Sequence, residues 1–447
     1  MEPNKRMVIL GAAESGIGAA ILAQQKGYDV FVSDGGTIKE AYKSELLKYN
    51  IAFEEGHNEQ NILNADEVVK SPGIPNDVEL IKTIRNNNIP VISEIELAYR
   101  YCDDSTIIAV TGSNGKTTTT ALIYHICRHA GKDCALVGNI GISFAKQVAL
   151  DPRELYVAEI SSFQLDDIQM FRPHVAVLCN ITEDHMDRYD YELDKYVYSK
   201  FQIAANQQAN DVFIYNLDDE TTRNSIKNFS IKSILAPITM SKEIPQGAYL
   251  ANAKMHLKWK NEDVQMSIDD FTLKGKHNQY NSMAASMAAT AVDIRKEKIR
   301  EALQTFESLE HRMEVVSVVK GISFVNDSKA TNVNSTWYAL ESMTQPVILI
   351  LGGVDKGNDY SLLKELVKEK VKAIVCMGTD NRKIHEAFGD IVPLIVNTQN
   401  ATDAVQSAYH FGNKGDVVLL SPACASFDLF KNYEDRGKQF KQAVKDL

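Results

Sequence analysis

The feature that most constrains the fold is a glycine-rich loop between a strand-like segment and a helix-like segment. Residues 107–110 read IIAV, residues 111–118 read TGSNGKTT, and a helical pattern of about four turns runs to His129, where Gly131 follows as a stop signal. An apolar strand leading through such a loop into a helix is typical of a parallel α/β sheet. The loop places backbone N–H groups at a helix N-terminus, which is a favourable position for an anion.

The same loop carries the side chains that a nucleotide phosphate requires. Lys116 can reach the β- and γ-phosphates, and the Thr117 hydroxyl can ligate Mg²⁺. The standard pattern places a glycine where this chain has Val110, so Gly112 takes over that role in a variant loop. A Gly/Ser/Asn turn without a ligand is the alternative, which the GKTT ending and the strand–helix context disfavour. The predicted phosphate-binding residues are Gly112, Ser113, Asn114, Gly115, Lys116, Thr117 and Thr118.

Acidic and histidine side chains follow the next two predicted strands. Glu159 ends the strand 155–160, and residues 182–189, TEDHMDRY, follow the strand 175–180. Because parallel strands end at the same edge of a sheet, these groups are expected to converge on the phosphate that the loop binds. Mg²⁺ takes few protein ligands and shares the rest with phosphates. A solvated acidic loop is the alternative.

Three further segments join a predicted strand to a loop rich in small or charged residues. They are NDSKATN at 326–332, LGGVDKGND at 351–359 and SPACASFDLFKNYEDRG at 421–437. Lys329 and Lys356 are cations suited to a phosphate or a substrate carboxylate. Each segment alone is equally consistent with an ordinary strand–loop–helix joint. The N-terminal loop GAAESGIG at 11–18, with Asp34 after the next strand, is a weak dinucleotide-type pattern that could bind NAD, a nucleotide-sugar or nothing.

Length and composition limit the remaining possibilities. A chain of 447 residues suggests three domains, with predicted ranges 1–103, 104–309 and 310–447. A net charge of −11 gives no general attraction for nucleic acid or anionic lipid. The six cysteines form no CxxC pair and match no zinc pattern, so we interpret them as reduced thiols. With no signal peptide and no apolar run of membrane-spanning length, we expect a cytoplasmic protein that does not insert into membranes.

Taken together and in this order, the motifs resemble the Mur ligase family over essentially the whole chain. The resemblance rests on TGSNGKTT, GNIG at 138–141, EISSFQL at 159–165, TEDHMDRY, GKHNQYN at 275–281, HR at 311–312 and NDSKATN. Within the family, NDSKATN and SPACASFDLFKNYEDRG resemble the branch that adds D-glutamate to UDP-N-acetylmuramoyl-L-alanine. The resemblance implies an α/β fold of three domains: an N-terminal Rossmann-like domain for UDP, a central P-loop domain for ATP and a C-terminal Rossmann-like domain for the amino acid.

The resemblance also implies a reaction and a cofactor set. ATP phosphorylates the substrate carboxylate, the amine of D-glutamate attacks the acyl phosphate, and phosphate leaves. Two Mg²⁺ ions are expected, the second held by a carbamate on Lys200, within YVYSKFQI. The expected partners are the two small-molecule substrates, with no nucleic acid and no membrane, and the chain is expected to be a monomer.

The family motifs assign roles to individual positions. The implied catalytic residues are Lys116, His185, Lys200 and Lys329, and the implied metal ligands are Thr117, Glu159, His185 and Lys200. Beyond the loop, the implied ATP contacts are Asn278, Asn281, His311, Arg312 and Asp327. The implied UDP-substrate contacts are Glu14, Ser15, Asp34, Gly35, Ser71, Pro72, Gly73, Asn139 and His185. The implied D-glutamate contacts are Lys329, Thr331, Lys356, Ser426, Phe427 and Tyr433.

The N-terminal domain departs from the family pattern at two positions. Ala13 replaces a glycine, and Gly36 stands where an arginine is expected, so the contacts to UDP are open. Another Mur ligase or a folylpolyglutamate synthetase is the alternative within the reaction class. A regulatory P-loop NTPase, or an NAD-dependent oxidoreductase that uses residues 11–18, is the alternative from another class.

Overall fold

A computed structural model describes residues 5–260, 262–307 and 310–447 as three α/β sheets with their helices. The first sheet has the order β3-β2-β1-β4-β5, with all strands parallel. Its strands are β1 (Arg6–Leu10), β2 (Asp29–Asp34), β3 (Ala52–Glu55), β4 (Glu67–Lys70) and β5 (Val91–Ser93). Its helices are α1 (Glu14–Gln25), α2 (Glu40–Lys48), α3 (Glu59–Ile62), α4 (Glu79–Asn86) and α5 (Glu94–Tyr99).

The second sheet has nine strands in the order β14-β13-β12-β11-β10-β9-β6-β8-β7. The strands are β6 (Thr106–Thr111), β7 (Cys134–Gly138), β8 (Leu155–Glu159), β9 (Val175–Leu178), β10 (Val212–Asn216), β11 (Ile234–Thr239), β12 (Gly247–Ala251), β13 (Lys254–Trp259) and β14 (Glu262–Ser267). The helices are α6 (Lys116–His129), α7 (Phe144–Leu150), α8 (Ser162–Leu165), α9 (Leu193–Phe201), α10 (Glu220–Ser225), α11 (Lys276–Ala291) and α12 (Lys296–Thr305). The antiparallel strands β12 to β14 extend one edge of this sheet, a feature that the sequence analysis did not predict.

The third sheet has the order β15-β16-β20-β17-β18-β19 and is parallel except for β15. Its strands are β15 (Glu314–Val319), β16 (Ile322–Asn326), β17 (Val347–Leu351), β18 (Val371–Met377), β19 (Ile395–Thr398) and β20 (Val417–Leu420). Its helices are α13 (Val333–Glu341), α14 (Lys364–Lys370), α15 (Arg382–Phe388), α16 (Ala401–Phe411) and α17 (Tyr433–Lys445). A two-residue turn at Lys320 and Gly321 joins the antiparallel strands β15 and β16, and both turn residues have positive φ.

The apolar run of β17 follows from its position inside the third sheet. All five residues are buried, with Leu349 packing into the cluster on one face and Ile348 and Ile350 packing into the cluster on the other. A parallel strand that is covered on both faces must be apolar at every position, because helices lie on each side. The continuous run PVILIL therefore indicates a central strand.

Contacts divide the chain into two compact units. One contains Met1–Thr272 and Gln279–Phe306, and the other contains Leu273–Asn278 and Glu307–Leu447. The first and second sheets lie in the first unit, and the third sheet lies in the second unit. The three predicted domains correspond in number to the three sheets, while their boundaries at 103/104 and 309/310 stay a prediction.

Buried hydrogen bonds join the first two sheets within the first unit. The Glu94 carboxylate at the start of α5 accepts hydrogen bonds of 2.6 Å from the Ser143 hydroxyl and from the Ala145 backbone N–H at the start of α7. Gly18 of α1 lies against the same point, where an added Cβ would come within 2.0 Å of Ser143 Oγ. Gly18 is therefore required for the close approach of α1 to the start of α7.

No helix in the described part of the chain is both long enough and apolar enough to cross a membrane.

Candidate functional site

The loop at 111–118 leaves the carboxyl end of β6 and enters α6, as the sequence predicts. Gly112 has a φ of 148° and Gly115 a φ of 82°, both in the region that favours glycine. The Ser113 and Asn114 backbone N–H groups donate to the carbonyl and side-chain oxygens of Asn180, each at 2.9 Å. These two hydrogen bonds hold the loop against the residues that follow β9.

Two lysine side chains meet at the Gly112 carbonyl oxygen. Lys116 Nζ donates to this oxygen at 2.7 Å and to the Ser113 carbonyl oxygen at 2.8 Å. Lys200 Nζ, from the last turn of α9, donates to the same Gly112 oxygen at 2.8 Å. The structure therefore brings together two of the four predicted catalytic residues.

Lys200 lies in an environment that disfavours its charge. Only 1% of the residue is exposed, and its Nζ lies 4.5 Å from the centre of the Tyr196 ring. Burial lowers the pKa of Lys200 well below its usual value, and the neighbouring Lys116 ammonium lowers it further. The site therefore disfavours the charged form of Lys200, so its neutral amine forms more readily than that of an exposed lysine.

Two of the four predicted metal ligands, Glu159 and His185, lie at or after the ends of β8 and β9, the two strands that pair with β6. Glu159 is the last residue of β8, is 1% exposed, and accepts a hydrogen bond of 2.8 Å from Asn139 Nδ2, which follows β7. His185 follows β9 with a φ of 55°, and its ring packs edge-on against Phe163 at 5.1 Å. Thr117 is buried in the first turn of α6. Glu159, a predicted metal ligand, is thus hydrogen-bonded to Asn139, a predicted contact to the UDP substrate.

No cluster of three or more His, Cys, Asp or Glu side chains with metal-binding geometry occurs among the residues that the structure describes. Glu159 and Thr117 offer hard oxygen atoms, which suit Mg²⁺. A site with so few protein oxygens fits an ion that takes its remaining ligands from phosphates.

Helix α11 brings one predicted ATP contact to the phosphate loop. Asn281 Oδ1 accepts a hydrogen bond of 3.1 Å from the Thr119 hydroxyl in α6. An added Cβ at Gly115 would lie 2.6 Å from the same oxygen, so the loop and Asn281 touch closely. Asn278, one turn earlier, donates to the Lys274 carbonyl oxygen at 2.8 Å.

The predicted UDP contacts lie at the carboxyl ends of β1, β2 and β4. Asp34 accepts hydrogen bonds from the backbone N–H groups of Ala12 at 2.7 Å and Gly36 at 2.8 Å, one on each carboxylate oxygen. Gly11 faces Ser71, because an added Cβ at Gly11 would lie 2.6 Å from Ser71 Oγ. This is the point where the strand order of the sheet reverses, which is where open parallel sheets bind ligands.

Five further predicted UDP contacts border this point, whereas Asn139 and His185 follow β7 and β9 of the second sheet. Glu14 and Ser15 begin α1, Gly35 follows Asp34, and Pro72 and Gly73 follow Ser71. Arg188, which the sequence analysis did not single out, donates to the carbonyl oxygens of Pro72 and Ile74 at 3.3 Å, and its guanidinium lies 4.3 Å from the centre of the Phe163 ring. The loop after β9 therefore touches the Ser71 loop directly.

In the second unit, predicted ATP contacts gather at the end of β16. The Asp327 carboxylate accepts hydrogen bonds from the Ser421 hydroxyl at 3.0 Å and from the Met313 N–H at 3.3 Å. Burial raises the pKa of Asp327 to about 7, although the nearby Arg312 charge opposes that shift. His311 is buried and its Nδ1 accepts a hydrogen bond of 2.8 Å from Asn326 Nδ2. Burial lowers the pKa of His311.

Five of the six predicted D-glutamate contacts lie on the three loops that leave β16, β17 and β20, and the sixth, Tyr433, begins α17. Lys329 Nζ lies 5.0 Å from the centre of the Tyr433 ring, which brings two of these contacts together. Ser426 is buried, whereas the adjacent Phe427 is 69% exposed. Thr331 is half-buried and Lys356 is exposed on the loop after β17.

Arg436 holds these loops in place and was not predicted as a functional residue. It is 0% exposed and donates to Ser328 Oγ at 3.0 Å, the Ser328 carbonyl at 2.8 Å and the Cys424 carbonyl at 3.2 Å. Burial lowers its pKa to about 10. The only sequence feature that indicated a role for Arg436 was its place in the motif YEDRG at 433–437. An arginine without such a motif is more often exposed than buried.

Comparisons with known protein families match most of the chain. The Mur ligase middle domain matches residues 110–289, the Mur ligase glutamate ligase domain matches 311–424, and the MurD N-terminal domain matches 6–80. The fold, the phosphate loop and these matches together define the class: this chain belongs to the Mur ligase family. The MurD match at the N-terminus indicates one branch of that family.

Curated relatives that align over the full length of this chain belong to the same branch of the family. Proteins from Christiangramia forsetii (51% identical over 445 residues), Bacteroides fragilis (52% over 447) and Porphyromonas gingivalis (50% over 444) each cover 99% of this chain. The alignments cover 100%, 100% and 98% of those relatives. Each of the three is named UDP-N-acetylmuramoylalanine--D-glutamate ligase.

Solved structures share the fold at lower identity. A pseudomurein peptide ligase type C from Methanothermus fervidus has a TM-score of 0.63 at 19% identity, covering 99% of this chain and all of that chain. The UDP-N-acetylmuramate-alanine ligase MurC of Thermotoga maritima has a TM-score of 0.61 at 16% identity, covering 99% of both chains. These likenesses confirm the three-domain α/β fold class.

Proposed function

We propose that this chain joins the amine of D-glutamate to the carboxylate of UDP-N-acetylmuramoyl-L-alanine, with ATP converted to ADP and phosphate. Relatives that are about half identical over the full length carry the name of this activity. The chain is an ATP-dependent ligase of peptidoglycan precursor synthesis.

The observation that carries the proposal is the convergence of Lys116 and Lys200 on the Gly112 carbonyl oxygen, at 2.7 and 2.8 Å. Phosphoryl transfer needs positive charge around the transferring group more than it needs an acid–base pair. The Lys116 ammonium donates hydrogen bonds to two loop carbonyl oxygens. Its side chain is long enough to donate to phosphate oxygens instead when ATP binds.

The bond changes follow from the chemistry of the substrates. The carboxylate oxygen of the L-alanyl group attacks the γ-phosphorus of ATP, the bond from that phosphorus to ADP breaks, and an acyl phosphate forms. The amine nitrogen of D-glutamate then attacks the acyl carbon and gives up a proton. The carbon–oxygen bond to phosphate breaks, so the phosphate keeps one of the original carboxylate oxygens.

We assign Thr117, Glu159 and His185 to one Mg²⁺ ion and Lys200 to a second. When bound, Mg²⁺ supplies charge neutralisation for the phosphate oxygens. Lys200 can serve a metal only after it becomes an anion, as a carbamate. The neutral Nζ lone pair adds to the carbon of CO₂ and a proton leaves the nitrogen. The lowered pKa of Lys200 supports this step, because only the neutral amine reacts.

The predicted binding residues are assigned to the three substrates, with Thr117 and His185 serving both a substrate and the metal. Gly112, Ser113, Asn114, Gly115, Lys116, Thr117, Thr118, Asn278, Asn281, His311, Arg312 and Asp327 are assigned to ATP. Lys329, Thr331, Lys356, Ser426, Phe427 and Tyr433 are assigned to D-glutamate, whose two carboxylates suit two lysines. Glu14, Ser15, Asp34, Gly35, Ser71, Pro72, Gly73, Asn139 and His185 are assigned to the UDP substrate. We further propose that the chain acts as a monomer in the cytoplasm.

Phosphate release by the purified chain tests the proposal. The assay contains ATP, Mg²⁺ and UDP-N-acetylmuramoyl-L-alanine, with D-glutamate present, absent, or replaced by L-glutamate, L-lysine or glycine. We expect release only with D-glutamate. Release with another amino acid would indicate a different Mur ligase specificity, and release without any amino acid would favour a regulatory NTPase. Release in no mixture, with ATP still binding, would overturn the substrate assignment.

A further inference from the structure

Lys356 lies in a tight turn within the loop that follows β17. The Asp355 carboxylate accepts, through Oδ1, hydrogen bonds from the backbone N–H groups of Gly357 at 2.8 Å and Asn358 at 3.1 Å. Gly357 has a φ of 90°, a conformation that favours glycine. The turn therefore fixes the backbone on both sides of Lys356.

One side of this turn is attached to helix α15. Lys383, in the first turn of α15, donates from Nζ to the same Asp355 oxygen at 2.8 Å. Burial by itself raises the pKa of Asp355, but the hydrogen bonds from Lys383 and from the two backbone N–H groups outweigh burial and lower that pKa. Asp355 is therefore ionised at neutral pH, which keeps the turn closed.

The other side of the turn is attached to the loop that follows β20. Asn358 Nδ2 donates to the Ala423 carbonyl oxygen at 3.0 Å, and it also lies 3.3 Å from Cys424 Sγ and 3.2 Å from the Tyr360 hydroxyl oxygen. Ala423 has a φ of 57°, which an alanine rarely adopts. Ala423 and Cys424 are both buried, so Asn358 attaches the turn to an immobile part of the second loop.

Backbone hydrogen bonds pair the same two loops just before these attachments. The Val354 N–H donates to the Ala425 carbonyl oxygen at 2.8 Å, and the Ala425 N–H donates to the Val354 carbonyl oxygen at 3.3 Å. Lys356 stands two residues after Val354, and Ser426 and Phe427 follow Ala425 directly. Three of the six residues assigned to D-glutamate therefore lie on one cross-linked pair of loops.

A fixed turn matters because a lysine side chain is long and loses much rotational freedom when it binds a carboxylate. If the backbone that carries Lys356 were also free to move, D-glutamate would have to order that backbone as well, which would weaken its binding. Loops that are held together before the ligand arrives avoid this cost. The phosphate loop lies in the other compact unit, so this effect should concern the amino acid and not ATP.

We propose that Asn358 is a positioning residue for D-glutamate, which acts by holding the Lys356 turn against the loop after β20. The assignment rests on the proposed function, since it specifies how that chain prepares its amino-acid site. Asn358 lies within LGGVDKGND but is not among the predicted site residues.

Phosphate release at varied D-glutamate and at varied ATP tests the assignment. Asn358→Ala should raise the KM for D-glutamate about tenfold, the factor that ordering one further flexible group costs. The kcat and the KM for ATP should stay within about twofold of the wild type, because only binding of the amino acid is weakened. Asn413→Ala, at an exposed asparagine before β20 and thus at the opposite end of that strand, is the matched control and should behave as the wild type.

Two further variants test whether Asn358 acts through Lys356. Gly357→Ala strains the turn without filling any space, because an added Cβ there meets nothing within 4 Å, and it should also raise the KM for D-glutamate. Lys356→Met should lower kcat/KM for D-glutamate. Adding Asn358→Ala to Lys356→Met should lower kcat/KM by no more than about a further twofold, since the side chain that Asn358 positions is already gone.

Three results would overturn the assignment alone. They are an unchanged KM for D-glutamate in Asn358→Ala, a full multiplication of the two effects in the double variant, and a fall in kcat with an equal rise in the KM for ATP, which would indicate general damage to the fold. Phosphate release by the wild type that does not depend on D-glutamate would instead overturn the proposed function, and this assignment with it.

Discussion

Replacing Lys200 by methionine should abolish most of the activity without lowering the free energy of unfolding. Methionine has a similar length and no charge, so it can occupy the same buried space. The change removes the hydrogen bond to the Gly112 carbonyl and the approach to the Tyr196 ring. It also removes an ammonium whose burial is unfavourable, as its lowered pKa indicates.

The two effects on stability oppose each other. Losing the hydrogen bond costs about 0.5–1.5 kcal/mol, whereas replacing a buried ion by an apolar side chain of similar volume is often neutral or stabilising by about 1–4 kcal/mol. We therefore expect the free energy of unfolding at pH 7 to stay within about 1 kcal/mol of the wild type or to rise. Activity should fall by about 10²-fold or more, because the carbamate can no longer form.

The pH dependence of stability gives a second readout. A lysine whose pKa is lower in the folded state binds fewer protons there than in the unfolded state. The wild type should therefore gain stability as the pH rises toward 10.5, the unfolded value, and Lys200→Met should lose that gain.

Urea unfolding at several pH values, together with phosphate release, measures both effects. Lys195→Met, at a lysine with 47% of its side chain exposed in the same helix, is the matched control and should change neither. Restored turnover of Lys200→Ala by formate or acetate would support an anionic role for position 200. Full activity of Lys200→Met would refute the carbamate. A loss of several kcal/mol of stability in Lys200→Met would refute the inference that the site disfavours a charged Lys200.

Three further predictions concern other charged side chains. Lys116→Met should abolish phosphate release while far-UV circular dichroism stays unchanged, and near-normal turnover would remove this lysine from the mechanism. Asp167→Asn should cost about 3–5 kcal/mol in urea unfolding, because it leaves the buried Lys70 ammonium, 3.1 Å away, without its countercharge; a loss below about 1 kcal/mol would contradict this. Asp327→Asn should be more stable than the wild type at pH 8 but not at pH 4. The raised pKa of Asp327, about 7, means that stability is lost as the pH rises through that value; equal differences at both pH values would argue against it.

The local parts of the site could be predicted because each depends on neighbouring residues. Strand, loop and helix around Gly112 follow one another directly, so their pattern alone predicts the phosphate loop. The apolar run of β17 likewise indicates a strand covered on both faces. Within the parallel sheet, the ends of β6 and β8 share an edge by topology, which brought Glu159 toward the loop.

What could not be predicted depends on contacts between distant residues. Lys200 is 88 positions from Gly112, and nothing in YVYSKFQI indicates that its amine is buried against the phosphate loop. Arg436 is 108 positions from Ser328, so its buried hydrogen bonds had no local signal. The hydrogen bonds of Ser33 with Glu54 and His57 depend on the register of β2 and β3, which a weakly apolar strand such as AFEE does not specify.

The central claim is that the chain forms an amide through an acyl phosphate, and an isotope experiment tests it most directly. UDP-N-acetylmuramoyl-L-alanine labelled with ¹⁸O in both carboxylate oxygens is incubated with the chain, ATP, Mg²⁺ and D-glutamate, and both products are analysed by mass spectrometry. We predict an amide that keeps one labelled oxygen and a phosphate that carries the other. Phosphate without label, or labelled substrate that is recovered unchanged while ATP is hydrolysed, would contradict the account.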